Sequence, residues 1–265
     1  MNFGIRGKTA FCTGGSRGMG LDVADMLAAE GCRVAIVART KSDVDQAVEE
    51  IRSKGGTAIG IAADVSNADD VTRAVAATTQ AFGPPLIMIG QAFFNVPGDF
   101  NDIDDPEIYV RSFRAYTMSS IYLLRAVLPA MKEAGWGRFV HIGSATAKEP
   151  QGGIHHVVAN ATRPSTVGLL KTVADEYAQF GITVNTVAPG WISTANSRVY
   201  IEKQMGPGTE EQRRIWMREK AHIPAGRMGE AAEIASLVAY LCSEQAGYIT
   251  GEWIAVDDGL HRSAF

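Results

Sequence analysis

The chain has 265 residues, 46% of them hydrophobic and 20% charged, which is enough apolar material for an ordinary globular core. A net charge of -4 gives no basic surface for nucleic acid, and no apolar run is long enough to span a membrane. Cys12, Cys32 and Cys242 lack the spacing of metal ligands, so we predict buried thiols, no metal site and a cytoplasmic location.

Short apolar segments alternate with longer amphipathic segments along the chain. Predicted strands cover residues 9–13, 33–38, 58–63, 86–89, 138–142, 182–188 and 253–256. Predicted helices cover residues 21–30, 42–54, 69–82, 106–134, 157–180 and 230–242. Ser42 followed by Asp45 is typical of a capping box, which predicts that the second helix begins there.

This alternation predicts the fold class. Strands that are apolar on both faces belong in a parallel sheet with helices on both faces, which is an α/β, doubly wound Rossmann-type fold. No linker or repeat interrupts the pattern, so we predict a single dinucleotide-binding domain over residues 1–265. Residues 193–226 are the exception and are predicted to form an excursion or lid on the substrate side. Residues 215–217 within it either line a pocket or pack as an amphipathic helix.

A glycine-rich segment, TGGSRGMG at residues 13–20, follows the first predicted strand and leads into the first predicted helix. Glycines permit a tight turn there and let backbone N–H groups approach a pyrophosphate at the positive end of the helix. A loop that only eases packing is the alternative, but the strand before it and the helix after it favour binding. The segment therefore predicts a dinucleotide site.

The spacing of Thr13, Gly14, Gly18 and Gly20 resembles the glycine motif of the short-chain dehydrogenase/reductase family. The likeness continues over nearly the whole chain, because later segments resemble other motifs of that family. These segments are Asp64 with Val65, Pro189 and Gly190 with Thr194, and residues 128–138, 248–251 and 256–259. The resemblance implies the fold of that family and a nicotinamide cofactor.

The resemblance also assigns expected cofactor contacts residue by residue. The glycine segment would hold the pyrophosphate, the pair after the third strand would contact the adenine, and the segment after the sixth strand would contact the nicotinamide. The expected cofactor-binding residues are Gly14, Ser16, Arg17, Gly18, Met19, Gly20, Arg39, Thr40, Asp64, Val65, Ala92, Arg163, Pro189, Gly190, Ile192 and Thr194.

The residues after the second strand bear on the choice between NAD(H) and NADP(H). A carboxylate at the strand end would bind the adenosine ribose hydroxyls and repel a 2′-phosphate, but this chain has Ala38 followed by Arg39 and Thr40. The resemblance puts Arg39, and Arg17 from the glycine segment, beside that ribose. Two arginines with no acidic residue nearby suit a doubly charged phosphate. We therefore predict NADP(H), the alternative being that both arginines are solvated surface residues.

The catalytic positions of the family are only partly kept. In the family, a Tyr and, four residues later, a Lys lie on the helix that follows the strand of the catalytic serine. When this chain is aligned with the family on Gly168, Ala159 occupies the Tyr position and Arg163 occupies the Lys position. Ser144 occupies the serine position and Tyr116 the position of the family's Asn. The chain thus resembles a divergent, β-ketoacyl reductase-like branch that lacks the Tyr-x-x-x-Lys motif. Ser144 would still polarise a substrate oxygen, and Arg163 would still bond the nicotinamide ribose.

Another residue must therefore exchange the proton with the substrate oxygen, since alanine cannot. Tyr116 on the long helix is one candidate, and His155 or His156, in the loop before the next helix, is another. His141 is a third, although strand alternation leaves its direction open. For each candidate, the alternative is that it has no role in the chemistry, because a tyrosine on an apolar helix is usually a core residue and loop histidines usually face solvent.

The leading hypothesis is an NADP(H)-dependent oxidoreductase acting on a carbonyl or hydroxyl group of a small molecule, with an atypical proton donor. Two alternatives remain open. One is an NADP-binding protein without redox activity, such as a sensor or an inactive subunit, and the other is a non-redox lyase or isomerase. The resemblance implies a homotetramer, or a hetero-oligomer with a paralogue, formed through the long helices and the C-terminal strand. We expect no nucleic-acid or membrane partner.

Overall fold

The central element of the fold is a parallel sheet. A computed structural model describes residues 2–150 and 155–264, and its strands are β1 (Thr9–Thr13), β2 (Arg33–Ala38), β3 (Thr57–Ala62), β4 (Ile87–Gly90), β5 (Gly137–Ile142), β6 (Ile182–Pro189) and β7 (Trp253–Val256). Their order is β3-β2-β1-β4-β5-β6-β7, and each neighbouring pair is parallel. Chain order reverses between β1 and β4, and ligands of such sheets bind at the carboxyl ends of the strands near this reversal.

Helices cover both faces of the sheet. They are α1 (Gly18–Ala29), α2 (Lys41–Ser53), α3 (Ala68–Phe82), α4 (Glu107–Phe113), α5 (Ser119–Ala134), α6 (Val157–Tyr177), α7 (Ala195–Met205), α8 (Glu210–Glu219) and α9 (Ala231–Leu241). Buried residues of α1, α2 and α9 share one core with Cys12 and Ile36, and those of α3, α5 and α6 share a second core with Phe11 and Val37. Adjacent strand residues thus point to opposite helix layers. The predicted α/β doubly wound fold class is confirmed.

Two predicted helix starts are wrong. Helix α1 begins at Gly18 rather than at residue 21, because the second half of the glycine segment forms its first turn. Helix α2 begins at Lys41 after Thr40, whose side chain makes no capping hydrogen bond, so the capping box predicted at Ser42 is absent. Lys41 instead bonds Asp45 one turn later, with 2.5 Å between Nζ and Oδ2.

The long helix predicted at residues 106–134 is interrupted. A π-helical turn at Arg114–Met118 joins α4 to α5. Such turns insert a residue into the regular helical repeat and often occur at functional sites. Tyr116, one of the candidate proton donors, lies within this turn.

The predicted excursion, residues 193–226, contains α7 and α8. Ile192 and Gly229 form a β-bridge at its base. Met217 of α8 packs with Ile201 of α7 in a small apolar cluster that is separate from the two sheet cores. The amphipathic helix suggested for this region therefore exists, but it packs within the excursion.

The three cysteines are buried, as predicted. Burial raises the pKa of each thiol, to about 12 for Cys32, so the thiols stay protonated in the core. No helix in residues 2–150 and 155–264 is both long enough and apolar enough to cross a membrane. The same residues contain no group of three or more His, Cys, Asp or Glu side chains that could hold a metal ion.

Candidate active site

The glycine segment forms the turn between β1 and α1. Gly14 and Gly18 have φ angles of +62° and +53°, in the left-handed region that favours glycine. A Cβ on Gly20 would lie 2.2 Å from the carbonyl oxygen of Gly14, so a larger residue fits only if the backbone moves. The predicted tight turn is therefore present, and its close packing depends on these glycines.

The N-terminal end of α1 is open to an anion. Arg17 is the N-cap, its side chain makes no capping hydrogen bond, and the first helical turn contains no acidic residue. Backbone N–H groups at such an end carry partial positive charge and bind phosphate in nucleotide sites. Thr194 also adjoins the turn, because its methyl group lies 3.6 Å from the position of a Cβ on Gly18. The residues present thus fit the diphosphate of a dinucleotide.

A cavity of about 170 Å³ opens beside this turn, at the carboxyl ends of β4, β5 and β6. It brings together residues that the sequence analysis placed in one site but on distant segments of the chain. Its lining residues are Met19, Gln91, Ala92, Phe93, Tyr116, His141, Ile142, Gly143, Ser144, Ala147, Arg163, Thr166, Val167, Pro189 and Gly190. The glycine segment, the candidate catalytic residues and the segment after β6 therefore share one cavity.

The guanidinium of Arg163 organises the polar side of this cavity. From α6, its Nη1 donates hydrogen bonds to Thr146 Oγ1 at 2.9 Å and to Ser144 Oγ at 3.3 Å. Its Nη2 donates to the Tyr116 hydroxyl oxygen at 3.2 Å. Three hydroxyl groups from two separate segments of the chain are thus held around one fixed positive charge.

Tyr116 has a second polar contact besides Arg163. Its side chain is buried, with 5% exposure, and its hydroxyl donates a hydrogen bond to the backbone carbonyl of Phe94 in the loop after β4. The hydroxyl is therefore both a donor and an acceptor, and the tyrosine is held at the cavity wall. Ala159, at the position of the family's tyrosine, is 1% exposed and is not among the lining residues.

His155 and His156 are not among the residues that line this cavity. His155 is exposed, and its Nδ1 lies 2.6 Å from Asp99 Oδ1, a contact that raises the pKa of the imidazole. His156 is half-buried at the N-cap of α6, and burial, followed by the charge of Arg163, lowers its pKa. The described cavity lining includes neither histidine.

The sequence does not predict that Thr146 contacts Arg163, and it leaves open whether His141 lines the cavity. Thr146 follows Ser144 by two residues in a short 3₁₀ turn, and only this turn brings both hydroxyls to one guanidinium. His141 is buried in β5 with 5% exposure and is among the residues that line the cavity. Alternation alone does not predict this, because both faces of β5 are covered.

Burial lowers the pKa of His141 to about 4, and the nearby charge of Arg163 acts in the same direction. Well above pH 6.5, the histidine is neutral in both folded and unfolded chains, so its contribution to stability is fully present there. As the pH falls from 6.5 toward 4, only the unfolded chain takes up the proton, and stability is lost. We expect the free energy of unfolding to drop by about 2–3 kcal/mol more in the wild type than in His141→Gln between pH 7.5 and 4.5.

Urea denaturation of both proteins across this pH range measures that difference. Carboxylates titrate in both proteins, so the comparison isolates the histidine. Parallel pH curves for the two proteins would show that His141 is not held neutral by burial.

The remaining expected cofactor residues lie in the loops after β3 and β6. Asp64 and Val65, which follow the end of β3 after one intervening residue, are half-buried, and the Asp64 carboxylate accepts hydrogen bonds from the backbone N–H and hydroxyl of Ser66 at 2.9 and 2.8 Å. Ile192 is buried, and Thr194 caps α7. These residues lie in the segments at which the resemblance expects adenine and nicotinamide contacts.

The surroundings of Arg17 require a correction. Arg39 and Thr40 are exposed after β2. The sequence predicts no acidic residue beside the two arginines, but this is wrong for Arg17, whose Nη2 forms an ion pair with Asp43 Oδ2. Asp43 lies in the first turn of α2, five residues after the end of β2, where the residue types at the strand end give no sign of it.

Comparison with known proteins identifies the family of the chain. The family model described as enoyl-(acyl carrier protein) reductase matches residues 14–261. Dehydrogenase/reductase SDR family member 4 of Homo sapiens is 32% identical over 257 residues, which cover 96% of this chain and 88% of that protein. The 3-oxoacyl-(acyl-carrier-protein) reductase FabG of Vibrio cholerae is 33% identical over 258 residues, covering 97% of this chain and 98% of that protein. The chain belongs to the short-chain dehydrogenase/reductase family.

Two solved structures are also similar. L-Sorbose reductase from Gluconobacter frateurii, complexed with NADPH and L-sorbose, has a TM-score of 0.91 and 27% identity, covering 99% of this chain and 100% of that one. An NADPH-bound short-chain oxidoreductase from Pseudomonas aeruginosa PAO1, described as containing an atypical catalytic center, has a TM-score of 0.89 and 27% identity, covering 97% and 98%. Both similarities extend over the sheet and the cavity region.

Proposed function

We propose that the chain is an NADP(H)-dependent oxidoreductase that interconverts a carbonyl and a hydroxyl group on a small molecule, with Tyr116 as its proton donor. The observation that carries this proposal is the cluster of Tyr116, Ser144 and Thr146 around Arg163. Of these, Tyr116, Ser144 and Arg163 line a cavity that also borders the glycine segment. The reductases among its relatives, and the similar structures solved with NADPH, support the same class of reaction.

The proposed cofactor site has three parts. The turn at Gly14, Ser16, Gly18, Met19 and Gly20 would hold the diphosphate, since backbone N–H groups of the open helix end face an anion there. Arg17, Arg39 and Thr40 would hold the 2′-phosphate, and Asp64 and Val65 would border the adenine. Ala92, Arg163, Pro189, Gly190, Ile192 and Thr194 would border the nicotinamide and its ribose. A guanidinium has five N–H donors, so Arg163 retains donors for the ribose beside its three hydroxyl partners.

When bound, the nicotinamide would supply the hydride to the carbonyl carbon or accept it from the alcohol. The chain's own residues would act on the oxygen of that group. Ser144 would donate a hydrogen bond to it and orient it, and Tyr116 would deliver the proton that completes the alcohol. The substrate oxygen has to replace the Phe94 carbonyl as the acceptor of the Tyr116 hydrogen bond.

Arg163 would have an electrostatic role in this reaction. An arginine keeps its proton, so it does not relay protons as a lysine can. Its guanidinium lies 3.2 Å from the Tyr116 oxygen and would balance the negative charge left there after proton transfer. His155 and His156 are weaker candidates because they lie outside the described cavity lining.

An assay of NADPH oxidation with a panel of ketones and aldehydes tests this function. The absorbance of the reduced nicotinamide monitors the reaction. We expect turnover with at least one carbonyl compound, and reduction of NADP⁺ with the corresponding alcohol. Tight NADPH binding without turnover on the whole panel would contradict the proposal and favour a binding protein or a non-redox enzyme.

A further inference from the structure

We propose that Asp43 limits the preference of this site for NADP(H), because it competes with the 2′-phosphate for the guanidinium of Arg17. This inference rests on the proposed function. The ion pair links residues 26 positions apart in the chain, Arg17 at the N-cap of α1 and Asp43 in the first turn of α2. The strand between them, β2, ends where the adenosine ribose is proposed to bind.

The two partners differ in how firmly they are held. The Arg17 side chain is 73% exposed, whereas that of Asp43 is only 20% exposed. An exposed arginine reorients at little cost, so Arg17 can leave the pair when a phosphate arrives. Asp43 is held against the protein, and its negative charge therefore remains beside the nucleotide.

This fixed charge distinguishes the two nucleotides. A 2′-phosphate that reaches Arg17 also approaches Asp43, so part of its attraction to the arginine is cancelled by repulsion. NADH carries a ribose 2′-hydroxyl at the same place, and a carboxylate does not repel a hydroxyl group. Arg39 makes no ion pair with any described residue and would supply the positive charge that still favours NADP(H).

The same helix offers a matched control. Asp45 lies two residues after Asp43, is exposed, and pairs with Lys41 within α2 instead of with Arg17. Asp43→Asn and Asp45→Asn remove the same charge from the same helix. A difference between them therefore reports the contact with Arg17 and not the net charge.

Isothermal titration of wild type, D43N, D45N, R17A and the double variant R17A/D43N with NADPH, NADH and 2′,5′-ADP tests the inference. We expect D43N to lower the dissociation constants of NADPH and 2′,5′-ADP by about three- to tenfold. The dissociation constant of NADH should change by less than about twofold in D43N, as should all three constants in D45N. In the R17A background, D43N should give a clearly smaller gain, because the competition for the guanidinium is already absent and only the direct repulsion of the phosphate is relieved.

Three results would overturn the role of Asp43: an unchanged NADPH dissociation constant in D43N, an equal gain in D45N, or a gain from D43N that is undiminished in the R17A background. A failure of the proposed function looks different. In that case the wild type binds NADH but not NADPH, or binds neither nucleotide, and Asp43 then has no phosphate to oppose. NADPH binding to the wild type that does not respond to D43N contradicts the further inference alone.

Discussion

Replacement of Tyr116 by phenylalanine is expected to lower kcat for carbonyl reduction by about 10²–10⁴-fold, the range of a lost general acid. The substitution removes only the hydroxyl, which accepts from Arg163 and donates to the Phe94 carbonyl. The cofactor turn does not depend on this hydroxyl, so the dissociation constant of NADPH should change by less than about threefold. Steady-state kinetics and NADPH titration of Tyr116→Phe measure both quantities.

Tyr109→Phe is the control for this substitution. Tyr109 lies in α4, and its buried hydroxyl has no hydrogen-bond partner among the described residues. Removal of an unpartnered buried hydroxyl is neutral or stabilising, so kcat should remain within about twofold of the wild type. A Tyr116→Phe enzyme with wild-type kcat, or a Tyr109→Phe enzyme that is equally impaired, would exclude Tyr116 as the proton donor.

Replacement of Gly20 by alanine is expected to weaken NADPH binding by about 100-fold or more, equivalent to about 2.7 kcal/mol. The added Cβ would lie 2.2 Å from the Gly14 carbonyl oxygen and 2.7 Å from Gln91 Oε1. The turn must therefore move, and the N–H groups at the start of α1 move with it. Such overpacking should also lower the free energy of unfolding by about 1–3 kcal/mol. NADPH titration of Gly20→Ala measures the dissociation constant, and urea denaturation measures the free energy of unfolding.

Gly168→Ala is the matched control for Gly20→Ala. Gly168 lies within α6, and a Cβ there meets no heavy atom within 4 Å. Alanine in a helix interior is more stable than glycine by about 0.5–1 kcal/mol, so this variant should be more stable than the wild type. Its affinity for NADPH should be unchanged. If Gly20→Ala binds NADPH as the wild type does, the proposed diphosphate site is wrong.

The sequence predicts the scaffold well because its signals are local. The glycine segment lies between an apolar strand and a helix, and that context was sufficient to locate the turn. Strands apolar on both faces predicted the parallel sheet, and both helix layers were found. The predicted start of α2 at Ser42 is wrong because the side chain of Asp45 bonds Lys41 along the helix and does not complete a capping box with Ser42.

The site itself depends on contacts that no local pattern records. Arg163 meets Tyr116 and Thr146 only because the π-helical turn, the 3₁₀ turn after β5 and α6 pack together. The pair of Arg17 with Asp43 likewise forms between separate helices. The resemblance to the family identified Tyr116 and Arg163 as candidates, but it could not show that they share a hydrogen bond.

A crystal structure with NADP⁺ and the alcohol product tests the central claim most directly. We expect the Tyr116 hydroxyl within about 2.6–3.2 Å of the product oxygen, the range required of a general acid. Ser144 should contact the same oxygen, and Arg163 should still bond Tyr116. A product oxygen bonded to His156 or to a water chain, with Tyr116 still donating to the Phe94 carbonyl, would contradict the account.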